Sequence, residues 1–316
     1  MKKFFIAIAA IATAAACSQN ETISLDKGEA ISFGNAFVEN SVRATDPTYG
    51  TVALTKFNVY GTVTGTGNGT VNIFNGNEVT GSVGNNVWNC DNKQYWIAGA
   101  LYQFVAVADG TVTADTNGMP TSIATIADSN SNVKDLLYAT NGPITGKASG
   151  NDKVNFTFAH LLSKVHFTVT SNTEGGYYYS VKNIQVANYS AGTYTIGATT
   201  PWAGTTAANV AFGDIEKVTS ADNNKNCATQ KLLIPTTDSF DVTFTVEIYK
   251  EAGDADDASD DVLLGTTNYT KTVSQDLVAG NAYNFTIALS VGELIQFTVT
   301  TNPTWGNSTT NVPVLQ

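Results

Sequence analysis

The sequence of 316 residues predicts an all-β protein. Residues 240–248 and 283–289 alternate apolar and polar side chains with a period of two, which places one strand face on a core and the other in water. Clusters rich in glycine and asparagine, at 65–69 and 75–77, are typical of hairpin turns between antiparallel strands. Segments with a helical period are almost absent, so strands are expected to build the folded part of the chain.

A change of phase divides the strands into two groups. Phe156 and Phe158 place the apolar face on even positions, whereas Val165 and Phe167 place it on odd positions. Because a regular strand cannot do both, residues 160–164 must contain a bulge or a turn. A strand that changes phase in this way passes from one sheet or domain to another, so we place a domain boundary near this point.

The length and the hydrophobic content of 42% suffice for two domains with buried cores. The sequence divides into residues 44–152 for the first β-sandwich and 153–290 for the second. Residues 291–316 remain as a C-terminal tail.

The N-terminus predicts export. Lys2 and Lys3 precede an apolar run that ends at Ala16, which is too short to span a bilayer but suits a secretory signal over residues 1–16. Small residues before Cys17 resemble a lipobox, which predicts that this cysteine carries lipid. The alternative is an ordinary signal-peptidase site beside an incidental cysteine.

Arg43 is the only arginine in the chain. It lies between a short alternating segment and the folded body, so an arginine-specific protease would cut once, between Arg43 and Ala44. Residues 17–43 would then be a pro-segment. The alternative to a cleavage site is that lysine has simply displaced arginine in this chain and that the position of the one remaining arginine is due to chance. The apolar residues of the alternating segment share one parity and can occupy a strand position with their side chains in a core: Ile31, Phe33 and Phe37.

The C-terminal tail has the pattern of a strand that could pair with another subunit. Ile295, Phe297 and Val299 alternate with polar residues. After an interruption at Pro303, Val312 and Val314 offer a second short apolar face. Such a strand can add to the sheet of a neighbour, although the same pattern also suits the last edge strand of the chain's own second sandwich.

Composition and spacing argue against several functions. The formal charge of −11 becomes −13 when Lys2 and Lys3 leave with the signal, which repels nucleic acid. Cys90 and Cys227 lack the spacing of metal ligands, and a disulfide between them stays open. We expect no metal and no cofactor.

The two histidines do not form a pair. His160 continues an apolar strand face and is expected to be packed, whereas His166 falls on a polar face. No catalytic triad can be assembled from them, so no enzymatic activity is expected. The acidic run 254–261 does not match an EF-hand and is expected to be a solvated hairpin loop, with calcium binding left open.

Residues 135–139, DLLYA, and 154–169, VNFTFAHLLSKVHFTV, resemble the central region of the fimbrillin family, the lipoprotein pilins of Bacteroidia type V pili. The resemblance implies two transthyretin-like Greek-key β-sandwich domains in tandem, an N-terminal pro-strand and a C-terminal appendage strand. It also implies lipidation at Cys17 and maturation at Arg43.

The expected function is that of a structural pilin subunit, of the stalk type because it has both a cleavable pro-segment and a tail. The pro-segment would leave a groove that a neighbour's tail fills, and repetition would build an extracellular adhesive fimbrium. The expected partners are other pilin subunits, an arginine-specific maturation protease and the outer membrane, through the lipid of the precursor. The alternative is a monomeric surface lipoprotein that binds glycans through exposed Trp88, Trp202 or Trp305.

Overall fold

The structure is a computed structural model. It describes residues 28–38, 54–67, 69–82, 87–127, 133–173, 175–221, 224–227, 229–252, 260–290, 295–302 and 310–313, with backbone only at 37, 302 and 310–313. Strands form all the regular secondary structure of these residues, which confirms the all-β prediction. No helix within them is long and apolar enough to cross a membrane.

The described residues form nineteen strands, which follow one another along the chain. They are β1 (Phe33–Val38), β2 (Lys56–Thr64), β3 (Val71–Gly81), β4 (Trp88–Cys90), β5 (Leu101–Ala108), β6 (Gly110–Ala114), β7 (Pro120–Thr125), β8 (Leu137–Thr145), β9 (Val154–His160), β10 (Ser163–Ser171), β11 (Tyr177–Thr195), β12 (Trp202–Val218), β13 (Lys225–Asn226), β14 (Lys231–Leu233), β15 (Phe240–Lys250), β16 (Val262–Val273), β17 (Ala282–Leu289), β18 (Gln296–Asn302) and β19 (Thr310–Pro313).

The first sheet closes on itself as a barrel, in the order β1-β4-β3-β2-β5-β8-β9. Only the contact between β1 and β9 is parallel within this sheet. The barrel therefore takes β1 from the segment before residue 44 and β9 from beyond residue 152. Beside the range 44–152 predicted for the first sandwich, the sheet includes a strand of the segment predicted to be a pro-strand and a strand of the range predicted for the second sandwich.

The second half of the chain forms two sheets that pack face to face. One sheet has the order β13-β10-β17-β18-β19, with β14 paired to β10, and the other has β16-β15-β11-β7-β6, with β12 paired to β11. Buried residues of both sheets, including Phe167, Val242, Phe244 and Phe285, share one core. β15 and β17 alternate buried and more exposed residues, as predicted.

The change of sheet falls between β9 and β10, where the phase of the apolar residues predicted it. Leu161 and Leu162 separate the two strands and are both buried. They belong to a third apolar cluster that joins the barrel to the sandwich, together with Tyr60, Val105 and Ile234.

The hairpin β6–β7 leaves the barrel and joins a sheet of the second half. β7 pairs with the end of β11, from Thr193 to Thr195. Ile123 of this hairpin is fully buried in the cluster between the two halves. The sheet membership of this hairpin was not predicted, because the alternation of apolar residues defines a face and not a partner strand.

The histidines and cysteines have the environments of structural residues. His160 is 6% exposed and its Nδ1 lies 3.0 Å from a carboxylate oxygen of Asp135. His166 Nδ1 lies 3.2 Å from Asn284 Oδ1. Cys90 and Cys227 are both free thiols, so the disulfide left open by the sequence is not formed.

We predict that Phe297→Ala lowers the free energy of unfolding by about 3–5 kcal/mol, because it removes a buried aromatic side chain. Phe297 is 5% exposed and stacks with Phe285 at a centroid distance of 5.7 Å. Urea unfolding followed by tryptophan fluorescence measures this change. The neighbouring Thr298→Ala is the control and should change stability by less than about 1 kcal/mol. Equal unfolding midpoints for the two variants would show that β18 is not part of the monomer's core.

Candidate functional site

Strand β1 closes the barrel by bridging β9 and β4. It pairs with β9 at four positions but with β4 only through Phe33 and Trp88. Just before the strand, Ile31 N–H donates to Gln94 O at 2.8 Å and Val154 N–H donates to Ser32 O at 2.8 Å. Near its start the segment thus has backbone partners on both sides.

The side chain of Phe33 fills an aromatic pocket in the barrel. It is 2% exposed. Its ring centroid lies 5.6 Å from that of Phe74, 6.1 Å from that of Phe156 and 6.4 Å from that of Phe57. If β1 left, these rings would line an apolar groove bordered by unpaired edges of β4 and β9.

A bulge in β1 changes the side-chain phase that the sequence predicted. Phe33 pairs with Val154 and Ala36 with Phe156, so an extra residue of β1 lies between them. Ile31 and Phe33 are buried before the bulge, and Ala36 is buried after it. The parity shared with Phe37 does not persist through the bulge, and the side chain of Phe37 lies outside the described part.

Gly34 allows the close approach at this bulge. Asn155 Oδ1 accepts the N–H of Asn35 at 2.8 Å. A Cβ on Gly34 would overlap the same carboxamide, so a larger residue would displace Asn155 or the strand. The bulge is therefore fixed by a side chain of β9.

Glu29 holds the upstream end of the segment to the loop before β9. Its Oε2 accepts the backbone N–H of Asn151 at 2.8 Å and the side-chain Nδ2–H at 3.0 Å. These hydrogen bonds, assisted by the charge of Lys147, lower the pKa of Glu29 below its usual value. Sequence reasoning missed this contact, because no local pattern signals a pair that is 122 residues apart.

The C-terminal strand β18 completes the sandwich of its own chain. It pairs antiparallel with β17 from Ala282 to Ala288. Phe297 and Val299 are buried in the shared core, and Ile295 packs partly buried against it. This is the alternative that the sequence left open, in which the tail is an edge element of its own sandwich.

Strand β19 lies outside β18 at the edge of that sheet. It makes four backbone register pairs with β18, among them Val312 opposite Val299. The side chain of Val312 and the whole of Val314 lie outside the described residues. Cys17, Arg43 and Ala44 also lie outside them.

The two described tryptophans that the glycan-binding alternative names, Trp88 and Trp202, do not form an exposed stacking surface. Trp88 is 5% exposed and packs against Phe57 in the barrel. Trp202 is half-buried against Tyr194 and donates its Nε1–H to Leu161 O at 2.9 Å. Packing requirements explain both positions, and Trp305 lies outside the described part of the chain.

The structure describes only the end of the acidic run. Asp261 accepts hydrogen bonds from the Tyr178 hydroxyl at 2.7 Å and from Ala252 N–H at 3.1 Å, and residues 253–259 are not described. Across the described residues, no group of three or more histidine, cysteine or acidic side chains is arranged to hold a metal ion.

Comparison with known proteins relates most of the chain to one family. A family model described as fimbrillin-like matches residues 43–305. A fimbrial protein from Bacteroides vulgatus is similar in structure, with a TM-score of 0.58, 15% identity, and coverage of 86% of this chain and 98% of that one. A candidate cell adhesion protein from Bacteroides ovatus has a TM-score of 0.50 at 17% identity, with coverage of 87% and 96%. A search of curated proteins found no match.

At these identities the solved structures establish a common fold, and the family model covers most of the sequence. The chain belongs to the fimbrillin-like family.

Proposed function

We propose that this chain is a structural pilin subunit of the stalk type, which polymerises after its pro-segment is removed at Arg43. The observation that carries the proposal is the position of β1. A short strand that closes a barrel is joined to the next strand, β2, through a segment that contains the only arginine. Membership of the fimbrillin-like family supports a structural role in a fimbrium rather than an enzymatic one.

A cut between Arg43 and Ala44 would break the backbone that joins β1 to the rest of the barrel. The strand would then be held by its pairing with β9, by Phe33 in its aromatic pocket and by Glu29. Its departure would leave a groove with an apolar floor and two unpaired edges. An extended strand from another subunit satisfies both needs at once, by β-augmentation.

The terminal segment 310–316 is the better donor for this groove than β18. If β18 left its sheet, the core around Phe285 and Phe244 would be uncovered, and each subunit would have two openings with one strand to fill them. β19 lies at the sheet edge, so its departure uncovers no second strand position. We therefore assign the donor role to Val312 and Val314, and a supporting role in the monomer core to Ile295, Phe297 and Val299.

Head-to-tail exchange of this kind does not close on itself and produces a filament. The same cut would also separate the subunit from the membrane, because the proposed lipid on Cys17 belongs to the pro-segment. The precursor would thus be an outer-membrane lipoprotein, an arginine-specific protease would mature it, and the product would join other pilin subunits in an extracellular fimbrium that contributes to cell adhesion.

We predict that arginine-specific proteolysis of the lipid-labelled precursor gives one stable product that begins at Ala44 and carries no label. We expect the cut there because linkers are where folded proteins are cut. All acyl label should then be found on the fragment that contains Cys17. Mass spectrometry and acyl labelling measure both outcomes. Arg43→Gln should keep the label on the full-length chain, and Cys17→Ala should remove it. Label on the product that begins at Ala44 would contradict this assignment.

We predict that Val312→Asp stops polymerisation of the cleaved subunit, because it would place an unpaired charge in an apolar groove at a penalty of several kcal/mol. Its thermal unfolding should match wild type, since β19 is an edge strand. Electron microscopy and light scattering after cleavage measure fibre growth. Asn311→Asp, of opposite parity, is the matched control and should polymerise. Normal fibres from Val312→Asp would exclude this segment as the donor.

We predict that Glu29→Gln speeds release of the pro-segment after cleavage at neutral pH. The lowered pKa of Glu29 means that its charged form stabilises the bound segment above the ordinary glutamate pKa, and that this contribution is lost as the pH falls through the lowered value. Acid below about pH 4 should therefore speed release from wild type more than from the variant.

Size-exclusion chromatography of the cleaved complex at several pH values measures this release. Glu78→Gln removes an exposed ion pair with Lys56 on the strands β2 and β3, away from the seam, and serves as the control. Equal release from Glu29→Gln and Glu78→Gln at neutral pH would remove the role of Glu29.

A further inference from the structure

A cleft opens where the hairpin β6–β7 diverges from the outer face of the barrel. Its volume is about 340 Å³, which lies within the range of sites for small molecules. Strands β2 and β5 supply its floor, the tip of the hairpin supplies one wall, and Pro143 lies at its rim.

The floor is formed by the outward face of β2 and β5, and the side chains of this face change from apolar to polar along the strands. Tyr60 and Val105 are buried beneath the hairpin in the cluster between the two halves. Two positions further along the face, Thr62 and Gln103 line the cleft instead. Leu101 adjoins them and is 45% exposed. The hairpin covers the apolar part of the face and leaves the polar part open.

Thr62 is the most informative residue of this floor. It is only 5% exposed and lines the cleft. Gln103 lines the cleft beside it at an exposed position. A hydroxyl and a carboxamide can each donate and accept hydrogen bonds, so these two side chains offer polar groups to a ligand in the cleft.

The wall of the cleft is fixed before any ligand binds. Asp115 Oδ1 accepts the N–H groups of Asn117 at 2.8 Å and Met119 at 2.9 Å. Asn72 of β3 donates its Nδ2–H to Asn117 O at 2.8 Å, which attaches the hairpin tip to the barrel. Gly118 has a φ of 76°, and a Cβ there would overlap Asn72. A wall held in this way loses little freedom on binding.

The lining combines hydroxyl and amide groups with one carboxylate and an aliphatic patch. Thr62 and Gln103 can donate and accept hydrogen bonds, and Asp115 can accept them through Oδ2. Leu101 and Met119 offer an apolar surface beside them. The described residues that line the cleft include no lysine, arginine or histidine, so an anionic ligand would face Asp115 without a compensating charge.

We propose that this cleft binds a neutral saccharide unit. The sugar's hydroxyls would pair with Thr62, Gln103 and Asp115, and its C–H face would lie on Leu101 and Met119. The site goes beyond the proposed pilin function and does not depend on it, because the cleft lies on β2, β5 and β8 and not on the strands that border β1. In a filament each subunit would repeat the site, and weak single contacts would combine into avidity.

The test uses the purified full-length chain with glucose, galactose, N-acetylglucosamine and their neutral disaccharides as probes. Saturation-transfer NMR and calorimetry should detect saturable binding of at least one of them. Gln103→Leu and Thr62→Val should each weaken that binding about tenfold, as loss of one hydrogen bond to the ligand does. Gln275→Leu and Thr266→Val, which lie outside the cleft, should bind as wild type does.

Thermal unfolding of every variant shows that the fold is kept, and Gln103→Leu, at an exposed position, is the decisive variant if Thr62→Val is unstable. Sialylated lactose should bind more weakly than lactose, because its carboxylate meets Asp115. Three results overturn the proposal: no saturable binding by any neutral probe, equal binding by the cleft and control variants, or tighter binding of the sialylated sugar.

Discussion

The parallel pairing of β1 with β9 is the contact on which the barrel depends. The other neighbouring strands in that sheet pair antiparallel, whereas β1 pairs parallel with β9 across 120 residues and is followed in sequence by the segment that contains Arg43. Closure removes both sheet edges at once, and Phe33 places an aromatic side chain at the centre of the seam. With β1 in place the barrel is closed and stabilised, and on the proposed function the departure of β1 would open it for assembly.

The two C-terminal strands, β18 and β19, differ in how many contacts hold them to the sandwich. β18 has a neighbour on each side and contributes Phe297 and Val299 to the core, while β19 has one neighbour and four register pairs. In strand exchange, each subunit donates one strand and has one groove to be filled. These numbers match only when the loss of the donated strand opens no second groove in the donor subunit. An edge strand satisfies this condition and an inner strand does not, which is why we propose Val312 and Val314 as the donor residues and not Phe297 and Val299.

The sequence predicted those features that depend on local alternation. The strands β15 and β17 and the phase change between β9 and β10 are all visible in neighbouring residues. Features that depend on distant pairing were not predictable in this way. The bulge after Phe33 is fixed by Asn155, the hairpin β6–β7 takes its partner from β11, and Trp88 is buried because β1 and β3 flank its strand. Alternation identifies a buried face but gives no information about what covers it.

The two ends of β1 are held by different contacts, and this bears on how the strand would leave. Near Glu29 and Ile31 the segment has hydrogen bonds to the chain on both sides and the bonds from Asn151, whereas the strand pairing of Ala36 and Val38 is with β9. If a cut at Arg43 freed the second end, as we propose, separation would begin at Val38 and would have to pass the bulge before Phe33 left its pocket. A donor that entered from the freed end could then take over pairing with β9 while the first half of β1 still covered the aromatic floor, so the groove would not be fully exposed to water during exchange.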